Sequence, residues 1–172
     1  MKKGFTLMEV LIYITLLIVI SDVLLRLTWN VIEGYSKRGV ISETYYIGRI
    51  ISERLKDDLR NATNIDTVNS NFGVNLATTT GSKITLISDS AQTPIIFSVS
   101  NGQLVVSYAG VATTFSSLDY KISSLVFTNL STTNGYSRNI KYVMILNSNA
   151  TNKGKIYDSN ITIQSSIELR GH

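Results

Sequence analysis

The chain has no cysteine, one histidine and one proline among its 172 residues, and only 16% of those residues are charged. Without cysteine there is no disulfide framework, no thiolate nucleophile and no cysteine-ligated zinc or iron–sulfur centre. A single imidazole, His172, cannot build a histidine metal cluster, and at the end of the sequence it is badly placed as a general base inside a pocket. No cofactor is indicated, and hydrolytic or redox chemistry is disfavoured before any motif is considered. At this length one domain is the default expectation.

The apolar residues are unevenly distributed. Between Lys3 and Asp22 the only charge is Glu9, and the intervening residues are almost all Leu, Ile, Val, Phe, Met, Tyr or Thr. As a helix, residues 5–25 extend about 30 Å at roughly 1.5 Å per residue, the thickness of a bilayer core. Lys2 and Lys3 precede this run, so the positive-inside bias places the N-terminus in the cytoplasm and the remainder outside. An ordinary secretory signal ends in small residues after its apolar run, whereas Ile20-Ser21-Asp22-Val23 has no such pattern. The small residue available for cleavage is Gly4, ahead of the run, and cutting there keeps the hydrophobic helix on the mature chain.

Glu9 is the anomaly in this segment. A carboxylate inside a spanning helix costs on the order of 2.5–3.5 kcal/mol on insertion scales and calls for a partner, a function, or a place near headgroup water. Cleavage after Gly4 would create a positive amine at Phe5, one helical turn from Glu9. In a bundle of such helices the amine of one subunit can neutralise the glutamate of the next and set the axial register.

Lys2-Lys3-Gly4-Phe5-Thr6-Leu7-Met8-Glu9-Val10-Leu11-Ile12 resembles the leader and N-terminal motif of type IV prepilins and of the pseudopilins of type II secretion and DNA-uptake systems. The resemblance implies cleavage by prepilin peptidase between Gly4 and Phe5, N-methylation at Phe5 and an assembly role for Glu9. Many major pilins carry a proline that kinks this helix. Here no proline precedes Pro94, which favours a minor pilin or pseudopilin. Loss of residues 1–4 would remove Lys2 and Lys3, leaving 14 basic and 12 acidic residues, so part of the basic balance is a topology signal.

After residue 25 the pattern turns amphipathic. Charges of both signs continue to Arg60, while Ile47, Ile51, Leu55 and Leu59 recur every four residues and form one stripe able to pack on a sheet. Glu33 with Lys37 and Glu43 with Arg49 are candidate surface pairs, and Asp57 and Asp58 read as solvated charges near the helix end. Gly34 and Gly39 weaken the helix locally, and at least one of Tyr45 and Tyr46 is expected in the core.

From Asn61 onward serine, threonine, asparagine and β-branched residues dominate, as in strands and loops. Strands are expected at residues 82–88, 95–99, 104–108, 122–127, 140–146 and 161–169, with Asn101-Gly102 as the strongest hairpin signal and Pro94 opening its strand. The fold class is therefore α+β and pilin-like: one long N-terminal helix packed on an antiparallel sheet of about five to seven strands. Its divisions are a leader at 1–4, a membrane and filament-core helix at 5–25, an amphipathic continuation at 26–60 and a β head at 61–172. This head resembles the J-type minor pseudopilins and W-type minor pilins, through Leu55-Lys56-Asp57-Asp58-Leu59-Arg60-Asn61-Ala62, the strand at 122–127 and the closing Ile167-Glu168-Leu169-Arg170-Gly171.

The implied partners are prepilin peptidase, other pilin or pseudopilin subunits and the cytoplasmic membrane. The implied location is that membrane, as a single-pass protein, and then a filament. Two alternatives stand beside this: a DNA-uptake pilin whose head binds nucleic acid, and a signal-anchored surface binding module that never assembles. Residues 61–172 contain seven basic and five acidic residues, and the one basic cluster is Arg138 and Lys141 with Lys153 and Lys155. That is few phosphate contacts for an electrostatic groove. The acidic loops around Asp89 and Asp158 supply too few oxygen ligands to favour a calcium site.

Overall fold

A computed structural model of the chain describes residues 6–89, 91–115, 119–132, 138–148 and 158–169. With no proline before residue 94 to break it, and despite many β-branched residues in its first half, the chain forms one α-helix, α1, at Leu7–Asn61. Helical bonding continues through Gly34 and Gly39. The chain divides into two compact units, Met1–Gly39 and Val40–His172.

In the first unit the apolar side chains are exposed around the helix, from Leu7 through Leu27 to Ile32. This stretch is long and apolar enough to cross a membrane. A helix that is hydrophobic all round is stable only where something apolar surrounds it.

The second unit is built on the last part of α1. Ile51, Leu55 and Leu59 are buried and Ile47 partly so, as their four-residue spacing predicts. Full burial of each such side chain contributes about 1.5–3 kcal/mol. The ion pairs that form along the helix, among the described residues, are Asp22–Arg26, Arg49–Glu53 and Arg54–Asp58. The expected pairs Glu33–Lys37 and Glu43–Arg49 are not among them. Arg49 turns to Glu53, one turn on, and Glu43 bonds the hydroxyl of Tyr120 instead. Tyr45 and Tyr46 are both exposed, correcting the expectation that one enters the core, because the buried face is taken by Thr44, Gly48, Ile51 and Ser52.

Eight strands follow among the described residues: β1 Asn64–Ile65, β2 Ile84–Ile87, β3 Ile95–Ser100, β4 Gln103–Tyr108, β5 Val111–Thr114, β6 Tyr120–Asn129, β7 Asn139–Ser148 and β8 Asn160–Glu168. They form two antiparallel sheets, β1-β2-β3-β4-β5 and β6-β7-β8, where the sequence suggested one. The fold class is α+β as expected, and the division of the strands is new. Asn101 and Gly102, with φ of 53° and 76°, make the two-residue turn between β3 and β4. Gly102 also abuts β6: a Cβ there would lie 3.0 Å from Lys121, and its carbonyl accepts the Ile122 N–H at 2.7 Å.

The core lies between the sheets and under α1. On β7, Ile140, Tyr142, Met144 and Leu146 alternate inward. Phe97 of β3 stacks on Phe127 of β6 with ring centroids 6.0 Å apart, which locks one sheet to the other. The outer edge of β6 is covered by an upstream segment. Gly73 and Leu76 donate their N–H groups to Phe127 and Leu125 at 2.8 and 2.9 Å. Such cover leaves that edge unable to pair with a foreign strand.

Candidate functional site

The start of α1 carries the residues that the sequence singles out. Gly4 and Phe5, the expected cleavage and methylation positions, lie outside the described residues. Glu9 lies in the first turn, and its backbone N–H donates to the Thr6 hydroxyl at 3.3 Å and to the Thr6 carbonyl at 3.1 Å. Thr6 therefore caps the helix and Glu9 occupies the third helical position, where a carboxylate is favoured by the positive end of the helix dipole. Thr6-Leu7-Met8-Glu9 has the Ser/Thr-x-x-Glu spacing of a capping box. That spacing was present in the sequence and identifies Thr6 as a residue of the site, a role that attention to the charge of Glu9 alone overlooks.

A second polar cluster sits where α1 meets β4. Arg54 donates from Nε and Nη2 to the Tyr108 hydroxyl at 2.9 and 2.5 Å. That hydroxyl donates to Asp58 Oδ2 at 2.6 Å. The guanidinium also lies 5.2 Å from the Tyr108 ring centre and 5.3 Å from that of Phe115, within cation–π range. Asp58 is only 6% exposed, which corrects its reading as a solvated charge. The buried stripe is wide enough to include position 58, one residue before Leu59, and the side chain is accommodated because a donor waits there.

Burial pushes the Asp58 carboxyl above its ordinary value, with the Tyr108 hydrogen bond and the Arg54 charge opposing the rise. Burial and the Asp58 hydrogen bond together push Tyr108 up to about 12. A neutral tyrosine between a guanidinium and a carboxyl is a hydrogen-bond relay. It offers no nucleophile and no base at neutral pH, so its chemistry is that of a clamp between helix and sheet.

Two further bonds tie α1 to the three-stranded sheet. Ser52 and Tyr142 share a buried hydroxyl–hydroxyl bond of 2.6 Å. Tyr120 is pushed up to about 12 by burial and by its hydrogen bond to Glu43. Beside them a surface groove of about 420 Å³ runs between Tyr45, Tyr46, Arg49 and Lys56 of α1 and Ile163 of β8.

The basic cluster considered for nucleic acid is only partly described, since Lys153 and Lys155 fall outside the described residues. Arg138 donates to the Thr63 carbonyl at 2.6 Å, which commits this guanidinium to holding the chain just before β1. Among the described residues no group of three or more His, Asp or Glu side chains is arranged to hold a metal. Comparisons with protein-family models, with curated proteins and with solved structures found no match to this chain.

Proposed function

We propose that this chain is a non-enzymatic minor subunit of a type IV pilus or type II secretion pseudopilus. It is made as a precursor, cut by prepilin peptidase between Gly4 and Phe5, methylated at Phe5, and held in the cytoplasmic membrane with its head outside. It then enters a filament or its initiating tip through α1, in a pilin-like α+β layout. The observation that carries this reading is the continuity of Lys2-Lys3-Gly4-Phe5-Thr6-Leu7-Met8-Glu9 with a helix whose apolar side chains are exposed on every face. A cleavable leader placed before such a helix preserves it, and a preserved helix of this kind suits both a bilayer and a bundle of identical helices. Moving from one to the other exchanges lipid contacts for side-chain packing, so Glu9 is left to specify the register.

Intact mass spectrometry of the chain isolated from its native membrane tests the proposal. The expected mass lacks residues 1–4 and carries one added methyl group. A full-length, unmethylated chain would instead identify a plain signal anchor and remove the filament reading.

A further inference from the structure

Glu9 and Asp22 are separated by twelve residues, 10–21, and none of them is charged. As a helix that stretch is about 18 Å long, far short of a hydrocarbon core of about 30 Å. Tilting would shorten its reach further. Small mismatches are absorbed by local thinning of the bilayer, but a deficit of about 12 Å is not a small one. One of the two acidic positions must therefore lie within the membrane.

The local bonding distinguishes them. Asp22 has a partner in its own helix: Arg26, one turn later, holds its carboxylate at 2.9 Å. Between water-exposed side chains such a pair contributes little, but in a low-dielectric layer its attraction is stronger and offsets part of the cost of carrying Asp22 there. Arg26 approaches from the side away from the N-terminus, and its long side chain leaves further N–H donors free to reach toward headgroups. The threonine hydroxyls are also satisfied internally. Thr15 donates to the Leu11 carbonyl at 2.8 Å and Thr28 to the Leu24 carbonyl at 2.9 Å. Val23, Leu24, Leu25 and Leu27 continue the exposed apolar surface past the pair.

Resting on the membrane placement proposed above, we infer that Asp22 and Arg26 lie inside the bilayer as an ion pair internal to α1, and that Trp29 anchors the outer face. The embedded stretch is then 10–28, about 28 Å long, with Glu9 at the inner face. Trp29 is the chain's one tryptophan, is 67% exposed on the helix, and is followed by Asn30 and Glu33. An indole suits the headgroup level because its ring is apolar and its N–H seeks a partner.

Since the tryptophan is single, its fluorescence reports the depth. The full chain is reconstituted into phosphatidylcholine vesicles carrying bromine near either the glycerol end or the methyl end of the acyl chains, with iodide added outside. For the native sequence, bromine near the glycerol end should quench Trp29 at least about twofold more than deep bromine, as an interfacial indole requires. Arg26→Ala leaves Asp22 unpaired, so the segment should slide outward and iodide quenching should rise at least about threefold. The double variant Asp22→Ala/Arg26→Ala should retain the native profile. If Trp29 is iodide-accessible and insensitive to bromine in the native chain, or if Arg26→Ala leaves the profile unchanged, the embedded pair is refuted while the membrane reading stands. Failure of the chain to float with vesicles at all would overturn both.

Discussion

Tyr108 on β4 donates its hydroxyl to Asp58 on α1 at 2.6 Å while accepting two N–H bonds from Arg54, so one phenol joins an acid and a base that are four residues apart on the same helix. Removing the hydroxyl takes its short donor from a buried carboxylate and leaves it only the longer ion pair with Arg54 at 3.4 Å. Tyr108→Phe should therefore destabilise the fold by about 1–3 kcal/mol, the usual penalty for stranding a buried polar group. Asp58→Asn keeps an acceptor and removes a charge that burial disfavours, so it should cost less than about 1 kcal/mol. Chemical denaturation of the full chain in detergent measures both. A larger loss in Asp58→Asn than in Tyr108→Phe would mean that the charge of Asp58, not the hydrogen bond, is what matters.

The same shifts fix the sign of the pH dependence. In the unfolded chain Tyr108 and Tyr120 lose their protons near 10, and in the fold near 12, so between those values the native state holds more protons. Stability must fall as pH rises through that interval. Tyr108→Phe and Tyr120→Phe should each flatten that alkaline slope. For Asp58 the raised value acts the same way just above pH 3.8: the fold loses stability through this group as pH rises across its shifted range. Asp58→Asn should remove that contribution. Denaturant midpoints measured across both pH ranges decide it.

Local rules explain which parts of this architecture were legible in the sequence. The stripe at positions 47, 51, 55 and 59 and the Asn101-Gly102 turn follow from helix periodicity and from residues that tolerate positive φ, and both formed as expected. β5 was hidden because its turn uses Ala109 at φ 49°, a residue that does not announce a left-handed backbone. The split into two sheets rests on contacts such as Phe97 on Phe127, thirty residues apart, which no local pattern encodes. The burial of Asp58 is hidden from local pattern for the same reason, since its donor lies fifty residues further along the chain. At the N-terminus the motif was legible, whereas the capping role of Thr6 required its spacing to Glu9 to be read as geometry.

Gly48 and Gly39 are both helical but should respond in opposite directions to alanine. A Cβ at Gly48 would lie 2.6 Å from Ile163 Cδ1 and 2.7 Å from Ile161 Cδ1, whereas nothing lies within 4 Å of one at Gly39. Gly39→Ala should therefore gain the full helix preference of about 1 kcal/mol. Gly48→Ala gains the same preference but must push two packed isoleucine tips aside, at about 1–3 kcal/mol, and should come out neutral to destabilising. Larger residues at 48 should be worse. Thermal unfolding followed by circular dichroism on the full chain separates the cases, and equal stabilisation by both alanines would show that α1 does not rest on β8 so closely.

Glu9 has two physical roles that substitution can separate. It occupies the third position of a helix capped by Thr6, and it is the acid proposed to meet a neighbouring subunit's N-terminal amine. Thr6→Ala removes the cap, weakening the first turn by about 1 kcal/mol, but leaves the carboxylate in place. Glu9→Gln leaves a side chain of the same length and removes the charge. If register is set by charge, Glu9→Gln and Glu9→Ala should insert into the membrane normally yet fail to enter filaments, while Thr6→Ala assembles. If capping is what matters, Thr6→Ala should fail as badly as Glu9→Ala, and Glu9→Gln should assemble because glutamine can close a capping box. Sheared-filament fractions compared with membrane fractions give the assembled share, and the mass of each membrane-bound variant tests whether the proposed cleavage after Gly4 takes place in it. Normal assembly of Glu9→Ala would remove Glu9 from the mechanism altogether.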